Sequence, residues 1–204
     1  MDTPTKIVSI YTEATPNPSS MKFVLNKMLL PQNSADFPTR ETAEGVSPLA
    51  HELFDAFDFV GGVFIMNNFV TITKNSEDKD WFEIAPLLRD FIRTYVSDDR
   101  EVINTAALQA HFTQNPDANP NEIYADDSEV VVKIKELLVK YVQPAVEMDG
   151  GAIVFRSFEN GVLTLGMQGS CSGCPSSTIT LKAGIEGLLK RMIPAVESVE
   201  AEML

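Results

Sequence analysis

A polar interruption near the middle of the chain constrains the fold more than any other feature. Apolar periodicity stops at the charge run Ser97–Glu101, and residues 114–121 contain two prolines and three asparagines. These residue types favour turns and loops. The stretches on either side are each long enough to fold alone. We therefore predict an α+β fold with two small α+β domains, residues 1–97 and 127–204, joined by a flexible linker at residues 98–126.

Turn and strand signals organise the first domain. Alternating and β-branched runs predict two antiparallel hairpins, whose strands cover residues 7–11, 21–28, 63–66 and 69–73. The first hairpin has a long connection that contains Pro16 and Pro18. The second has a tight turn at Asn67-Asn68, because Asn tolerates a positive φ.

Capping residues predict two helices in the same domain. Ser47 precedes Pro48, a pair that is favoured at a helix start. Asp80 can cap a second helix that runs to about Val96. This second helix is expected to bury one stripe of side chains, namely Phe82, Ala85, Leu88, Ile92 and Val96. In the linker, at most a short helix is expected near residues 105–111.

The second domain has the predicted order α-β-β-α-β. Its first helix begins near Asp126 and ends at Gly150-Gly151, since paired glycines permit a left-handed exit. That helix is expected to bury one face, made of Ile134, Leu137, Leu138, Tyr141, Val142, Ala145 and Val146. Two strands joined by an Asn-Gly turn, a helix and a last strand follow, at residues 152–158, 162–168, 175–193 and 198–203.

The two cysteines of the chain, Cys171 and Cys174, lie in the loop between the second of these strands and the following helix. Such a pair is no disulfide framework, and in a reducing compartment it favours metal binding or redox chemistry. The thiolate is the form that binds iron or zinc. Unpaired N–H groups and the dipole at a helix N-terminus favour that charge. The flanking Gly and Ser residues are expected to leave the sulfurs reachable.

Counting ligands turns this pair into half of a metal site. An iron–sulfur cluster or a tetrahedral zinc takes about four ligands, and the two histidines, His51 and His111, lie in the first domain and the linker. A second copy of the chain is the simplest source of two more thiolates.

Three interpretations of the spacing remain open at this point. The pair can serve a cluster carrier, a thiol–disulfide oxidoreductase that uses it as nucleophile and resolving thiol, or a structural dimer clamped by zinc. The lack of a βαβ pattern around the pair is expected to count against the oxidoreductase, because thioredoxin-like motifs lie near such a pattern.

The charge balance limits the classes of partner. The formal net charge of −13 repels nucleic acid and anionic membrane surfaces, so neither is expected as a partner. No apolar run is long enough to cross a bilayer. The first residues lack the basic and apolar regions of a signal peptide and the Arg-rich character of a transit peptide, which predicts a cytoplasmic protein.

Longer motifs carry a resemblance to a known family. Four segments resemble the C-terminal NifU-like domain of Nfu-type iron–sulfur carriers: residues 142–151 (VQPAVEMDGG), 153–155 (IVF), 165–178 (LGMQGSCSGCPSST) and 181–186 (LKAGIE). The first domain resembles the Nfu N-terminal domain through residues 15–23 (TPNPSSMKF), 47–50 (SPLA), 61–64 (GGVF) and the Asp80-Trp81 helix start.

This resemblance implies a carrier and not an enzyme. Nfu proteins accept an iron–sulfur cluster, usually [4Fe-4S], from scaffold donor proteins and pass it to apo iron–sulfur client proteins. On that basis Cys171 and Cys174 are expected to ligate a cluster that is shared between two chains, so the loaded protein is expected to be a homodimer. An aerobic preparation can lack the cluster, because exposed clusters are oxidised.

Overall fold

The computed structural model describes residues 7–114, 121, 123–172 and 175–203. The chain divides into two compact units, Met1–Gln109 and Ala110–Leu204, which we call the first and the second unit. Each unit combines a sheet with helices, so the α+β fold class is confirmed. The domain boundaries at residues 97 and 127 stay predictions. Within the described residues, no helix has both the length and the apolar character needed to cross a membrane.

The first unit is built on an antiparallel sheet. Its strands are β1 Ile10–Ala14, β2 Ser20–Leu25, β3 Leu30–Phe37, β4 Val60–Asn67 and β5 Phe69–Lys74. The order across the sheet is β1-β2-β5-β4-β3. The helices are α1 Arg40–Ala43, α2 Pro48–Ala56, α3 Trp81–Ser97 and α4 Thr105–Gln114. Helix α3 packs against β1 and β2, and α2 packs against β4.

Both predicted hairpins of the first unit are confirmed. Strand β1 pairs antiparallel with β2, and β4 pairs antiparallel with β5. The sequence interpretation missed β3, which pairs with β4 at the edge of the sheet. Pro31 and Asn33 interrupt its alternation, and a register shift between Leu30 and Ser34 accommodates them. An edge strand tolerates proline because one of its sides has no neighbouring strand to bond.

Helix α3 begins as predicted, but one of its predicted core residues is wrong. The Asp80 side chain accepts a hydrogen bond from the N–H of Phe82. The Phe82 side chain is 88% exposed. Six residues separate it from the buried Leu88, so it lies about 120° around the helix from that residue. The face that the helix does bury consists of Ile84, Ala85, Leu88, Ile92, Tyr95 and Val96.

The residues directly after α3 are bonded to the first unit. The Ser47 hydroxyl donates to the carbonyl oxygen of Val102 at 2.7 Å, and the N–H of Asn104 donates to that of Val46 at 2.8 Å. The beginning of the predicted linker is thus held in place. Helix α4 extends three residues beyond the short helix expected there.

The second unit contains a smaller sheet. Its helices are α5 Glu129–Leu137, α6 Gln143–Met148 and α7 Pro175–Met192, and its strands are β6 Gly151–Glu159, β7 Val162–Gly169 and β8 Ser198–Met203. A π-helical turn, Leu138–Val142, joins α5 to α6. Pro144 has no N–H to donate, so the α-helical ladder cannot continue unchanged through this point. The predicted order α-β-β-α-β is confirmed.

The topology of this sheet corrects one expectation. Strands β6 and β7 form the predicted hairpin, with positive φ angles of 50° at Asn160 and 81° at Gly161. Strand β8 pairs in parallel with β7, so β7, α7 and β8 form a βαβ crossover. The prediction that the cysteine pair has no βαβ pattern around it is therefore wrong. Element order alone did not reveal which strand β8 joins or in which direction.

The core of the second unit is formed by helices packed on the sheet. Its most buried members include Ile134, Leu138, Val146, Ile153, Leu163, Leu165, Met167, Leu189 and Val199. The predicted burial of Tyr141 and Ala145 is wrong, because both residues are exposed. The π-helical turn changes the number of residues per turn, so a face projected with a regular α-helical period loses its register there.

Candidate metal centre

Cys171 follows the end of β7, four residues before α7 begins at Pro175. It is 6% exposed and belongs to the buried core of the second unit. The expectation that small neighbours leave both sulfurs reachable is therefore wrong at Cys171. Cys174 lies outside the described residues, and its role as a ligand stays a prediction.

We call residues 170–174, between β7 and α7, the cysteine loop. It is held by the loop that ends α6, residues 149–151, which we call the clamp loop. The Ser170 hydroxyl donates a 2.5 Å hydrogen bond to the carbonyl oxygen of Asp149. The N–H of Ser170 donates to the carbonyl oxygen of Gly150 at 3.2 Å. Gly150 has a φ of 83°, a conformation that favours glycine. The clamp loop thus serves as the predicted helix exit and also fixes the residue next to Cys171.

The backbone of Gly151 packs closely against the sulfur of Cys171. A Cβ atom at this position would lie 2.6 Å from the carbonyl oxygen of Gln168 and 2.8 Å from Sγ of Cys171. Both distances are well below van der Waals contact, so a larger residue must displace either strand β7 or the thiol. The sequence interpretation assigned the paired glycines to the helix exit and missed this contact. The second of the paired glycines was the signal in the sequence for this contact, because a single glycine is enough to end the helix.

Helix α7, which begins beside the cysteine loop, is tied to the sheet by Glu186. The Glu186 carboxylate accepts hydrogen bonds from Nζ of Lys190 at 2.6 Å and from the N–H of Val199 at 3.0 Å. These two donors, Lys190 first, hold the pKa of Glu186 below its usual value. Because Val199 belongs to β8, the bonds fix the position of α7 on the sheet.

A buried ion pair supports the same sheet at β6. Nζ of Lys135 lies 2.7 Å from Oδ2 of Asp127, and these side chains are 3% and 15% exposed. The hydrogen bond from Lys135 lowers the pKa of Asp127, and a second bond from the N–H of Tyr124 contributes. The same ammonium lies 5.1 Å from the ring centroid of Phe155 in β6. The side chain of Asn121 bonds to the main chain of β6, so residues 121–127 belong to the second unit.

The donor set around Cys171 is incomplete by itself. The side chain of Ser170 lies beside the thiol, with its Oγ 4.0 Å from Sγ. Among the residues that the structure describes, no three His, Cys, Asp or Glu side chains form a group that could hold a metal ion. His51 lies 3.5 Å from Asp55 in the first unit, and the side chain of His111 lies outside the described set. A metal centre at this loop therefore requires Cys174 and further ligands.

Comparison with known protein families gives two matches that together span most of the chain. Residues 10–99 match the family described as "Scaffold protein Nfu/NifU N terminal". Residues 134–200 match the family described as "NifU-like domain". The second match contains the clamp loop, the cysteine loop and α7.

Individual relatives share both regions. The chain is 40% identical over 200 residues to the human "NFU1 iron-sulfur cluster scaffold homolog, mitochondrial", covering 98% of this chain and 74% of the relative. It is 43% identical to the protein of the same name from Drosophila ananassae, covering 94% of this chain and 63% of that one. It is 41% identical to "NifU-like protein 4, mitochondrial" from Arabidopsis thaliana, covering 95% and 65%. The chain thus spans less than two thirds of the fly and plant relatives.

Among solved structures, the solution structure of a NifU-like protein from Saccharomyces cerevisiae aligns with a TM-score of 0.44 at 25% identity. It covers 51% of this chain and 90% of its own. The crystal structure of protein SAV1430 from Staphylococcus aureus aligns with a TM-score of 0.35 at 18% identity, covering 41% of this chain and 98% of its own.

Proposed function

The chain belongs to the Nfu/NifU family of scaffold proteins, and we propose that it is a carrier of iron–sulfur clusters. The cargo is a [4Fe-4S] cluster, bound by Cys171 and Cys174 of each of two chains. One observation carries the proposal: a cysteine pair at the start of α7, in a chain with no other cysteine, supplies half of a four-ligand site. The names of the human and fly relatives describe iron–sulfur cluster scaffolds.

The surroundings of Cys171 are suited to a thiolate ligand. The clamp loop accepts hydrogen bonds from the hydroxyl and the N–H of Ser170, and these bonds fix the residue next to Cys171. Helix α7 begins at Pro175, and its N-terminal N–H groups favour negative charge in the preceding loop. We place the second pair of thiolates on a second copy of the chain, which gives a two-fold arrangement.

Transfer proceeds by ligand exchange and needs no enzymatic chemistry. A cysteine thiolate of an apo-client attacks one iron of the cluster, and one carrier thiolate leaves that iron. Repetition of this step at the other irons moves the cluster to the client, and the two carrier chains separate. A donor scaffold loads the carrier by the same exchange in the opposite direction.

The proposed partners are apo iron–sulfur proteins and a scaffold donor, and the proposed location is the cytoplasm. The net charge of −13 disfavours nucleic acid and anionic membranes. The names of the human, fly and Arabidopsis relatives describe those proteins as mitochondrial. Immunoblotting of cytoplasmic and mitochondrial fractions for the untagged protein tests the location. A signal confined to mitochondria contradicts this part of the proposal.

The central test is anaerobic reconstitution with counting of iron, sulfide and protein. We expect about four irons per two chains, together with dimerisation on loading and transfer to an apo [4Fe-4S] enzyme that restores its activity. The variant Cys171→Ser/Cys174→Ser is expected to lose loading and delivery while keeping its circular dichroism spectrum. Ser172→Ala is the matched control, because it changes the same loop and keeps both thiols. Loading and delivery by the double variant would refute the proposal.

The βαβ crossover around the cysteine loop favours testing a second function. A strand, a Cys-x-x-Cys loop and a helix in this order also occur in thiol–disulfide oxidoreductases. Insulin reduction by the apo-protein with dithiothreitol separates the two functions, and we expect no rate above the dithiothreitol background. Zinc in place of iron after anaerobic purification would instead indicate a structural dimer.

A further inference from the structure

The outer face of α3 in the first unit forms an apolar groove that the cluster chemistry does not use. The groove has a volume of about 410 Å³, within the usual range for ligand pockets. Its apolar wall consists of Phe57, Leu87, Phe91 and Tyr95. Leu87 is 55% exposed, whereas Tyr95 belongs to the buried face of the helix. The groove therefore offers an apolar surface that the fold leaves open.

The aromatic wall of the groove is rigid. The rings of Phe57 and Phe91 meet edge to face with centroids 5.5 Å apart. The rings of Phe91 and Tyr95 stack at 6.3 Å. The hydroxyl of Tyr95 donates to the carbonyl oxygen of Glu101 at 2.8 Å, which fixes the last ring. A ligand thus meets a preformed surface and does not have to order it, which reduces the entropic cost of binding.

The charged rim of the groove contains two carboxylates and the guanidinium of Arg100. Asp90 and Asp98 both line it, and eight residues along a helix place them about 12 Å apart. Asp90 already pairs with Arg93 at 3.2 Å. Asp98 is exposed and its charge acts on the nearby guanidinium of Arg100, but it forms no direct ion pair with a residue that the structure describes, so its oxygens can accept hydrogen bonds from a second cation.

One cation of the chain itself shows how this surface binds a guanidinium. The guanidinium of Arg100 lies 4.0 Å from the centroid of the Tyr95 ring and forms an ion pair with Glu52. The Tyr95 ring and the Glu52 carboxylate thus both contact the same guanidinium, which is the arrangement expected for a cation–π contact with a counter-ion.

We propose that this groove binds a segment of a partner protein that carries an apolar side chain between two Arg or Lys residues. The apolar side chain fills the space beside Leu87 and Phe91, and the cations reach the carboxylates of Asp90 and Asp98. In an extended segment, residues four apart span about 13 Å, which matches the separation of these two positions. The first unit then serves to recruit partners, independently of cluster binding by the second unit.

The test uses the full-length chain and a defined probe, the fluorescein-labelled peptide GGRSFSRGG. We expect binding with a Kd below about 1 mM by fluorescence anisotropy, with NMR shifts at Leu87, Thr94 and Asp98. Leu87→Ser and Asp98→Lys are each expected to weaken it about tenfold. Control peptides in which Gln or Glu replaces both Arg residues are expected to bind the unmodified protein at least about tenfold more weakly than the probe does.

Two variants outside the groove act as matched controls. Phe82→Ser removes an even more exposed apolar side chain from the same helix, and Glu77→Lys reverses an exposed charge before the helix. Both are expected to bind the probe like the unmodified protein, and thermal unfolding verifies that all four variants are folded. Absence of binding, equal binding of the Gln peptide, or equal losses in the control variants would overturn the proposal. None of these results depends on loading of a cluster.

Discussion

The loop at residues 15–20 in the first unit and the cysteine loop in the second are held in opposite ways. In the first, the hydroxyl of Thr15 bonds to Asn17 and Ser20, and the latter two residues are buried. The polar groups of these residues thus form hydrogen bonds with one another inside the loop. In the second, Ser170 donates hydrogen bonds to the clamp loop, which is a separate segment of the chain. The two hydrogen bonds to the clamp loop come from the hydroxyl and the N–H of Ser170.

This difference separates a structural loop from one suited to chemistry. Residues 15–20 are as distinctive in the sequence as the cysteine loop, yet their polar side chains are engaged within the loop. The indole N–H of Trp81 adds a further bond to the carbonyl oxygen of Pro18 at 2.9 Å. A loop that binds metal must instead be stabilised without its ligands. The second unit does so by close main-chain packing at Gly151 and by the supported strand β6.

The ion pairs of the two units extend this comparison and give the largest predicted effect. In the second unit the side chains of Lys135 and Asp127 are 3% and 15% exposed, whereas those of Lys27 and Asp99 in the first are 44% and 85% exposed. Asp127→Asn removes the carboxylate charge that lies 2.7 Å from a buried ammonium and is expected to destabilise the second unit by about 3 kcal/mol at pH 7. This lies at the lower end for broken buried pairs, because Asp127 keeps some contact with solvent.

The effect has a defined pH dependence. The pKa of Asp127 is lowered from 3.8 in the folded state, so its contribution is fully present above that value and is lost as the pH falls through the lower, folded value. The difference between Asp127→Asn and the unmodified protein should therefore shrink below about pH 4. Hydrogen exchange at β6 and β7 measures it. Asp99→Asn is the exposed control, expected to have little effect, and an equal loss there would contradict the comparison.

The next largest effect is expected at Gly151. In Gly151→Ala the added methyl group meets a carbonyl oxygen and the Cys171 sulfur, and relief of this overlap is expected to cost about 2 kcal/mol in the second unit. Reconstituted protein should also lose its cluster faster. Exchange at β6 and visible absorbance over time measure the two effects.

Gly184→Ala is the matched control for this substitution. A Cβ at Gly184 meets nothing within 4 Å, and alanine in a helix is favoured over glycine by up to about 1 kcal/mol. We therefore expect a small gain in stability and an unchanged cluster. If both variants behaved alike, steric contact at Gly151 would not be what holds the cysteine loop.

Gly151 also shows how far the sequence predicts the site. Local patterns in the sequence predict the end of the first helix of the second unit, the strand β7 and the position of Cys171 directly after that strand. The contact between Gly151 and Cys171 joins residues 20 positions apart, and no local pattern reveals it. The burial of Cys171 was missed for the same reason: small neighbours in sequence suggest exposure, whereas the burial comes from residues of the core that are distant in sequence.

The fold shows the same limit. Hairpins with Asn turns and helices with clear caps were predicted, because their signals lie within a few residues of each other. Strand β3 was missed, since Pro31 disrupts its alternation and only pairing with β4 makes it a strand. The parallel direction of β8 is likewise set by packing of α7 and not by the strand itself.

The smallest predicted effect concerns the loop at residues 15–20. Thr15→Val keeps the shape of the side chain but removes the hydroxyl that lies 2.9 Å from the Asn17 carbonyl oxygen and 2.6 Å from Oγ of Ser20. Loss of these bonds is expected to destabilise the first unit by about 1–2 kcal/mol. Hydrogen exchange at β2 and β5 measures this loss, and loading of the second unit should be unchanged. Thr12→Val on exposed β1 is the matched control and should change neither. A loss of cluster loading in Thr15→Val would show that the loop acts on the metal centre, and its separation from the cysteine loop would then be wrong.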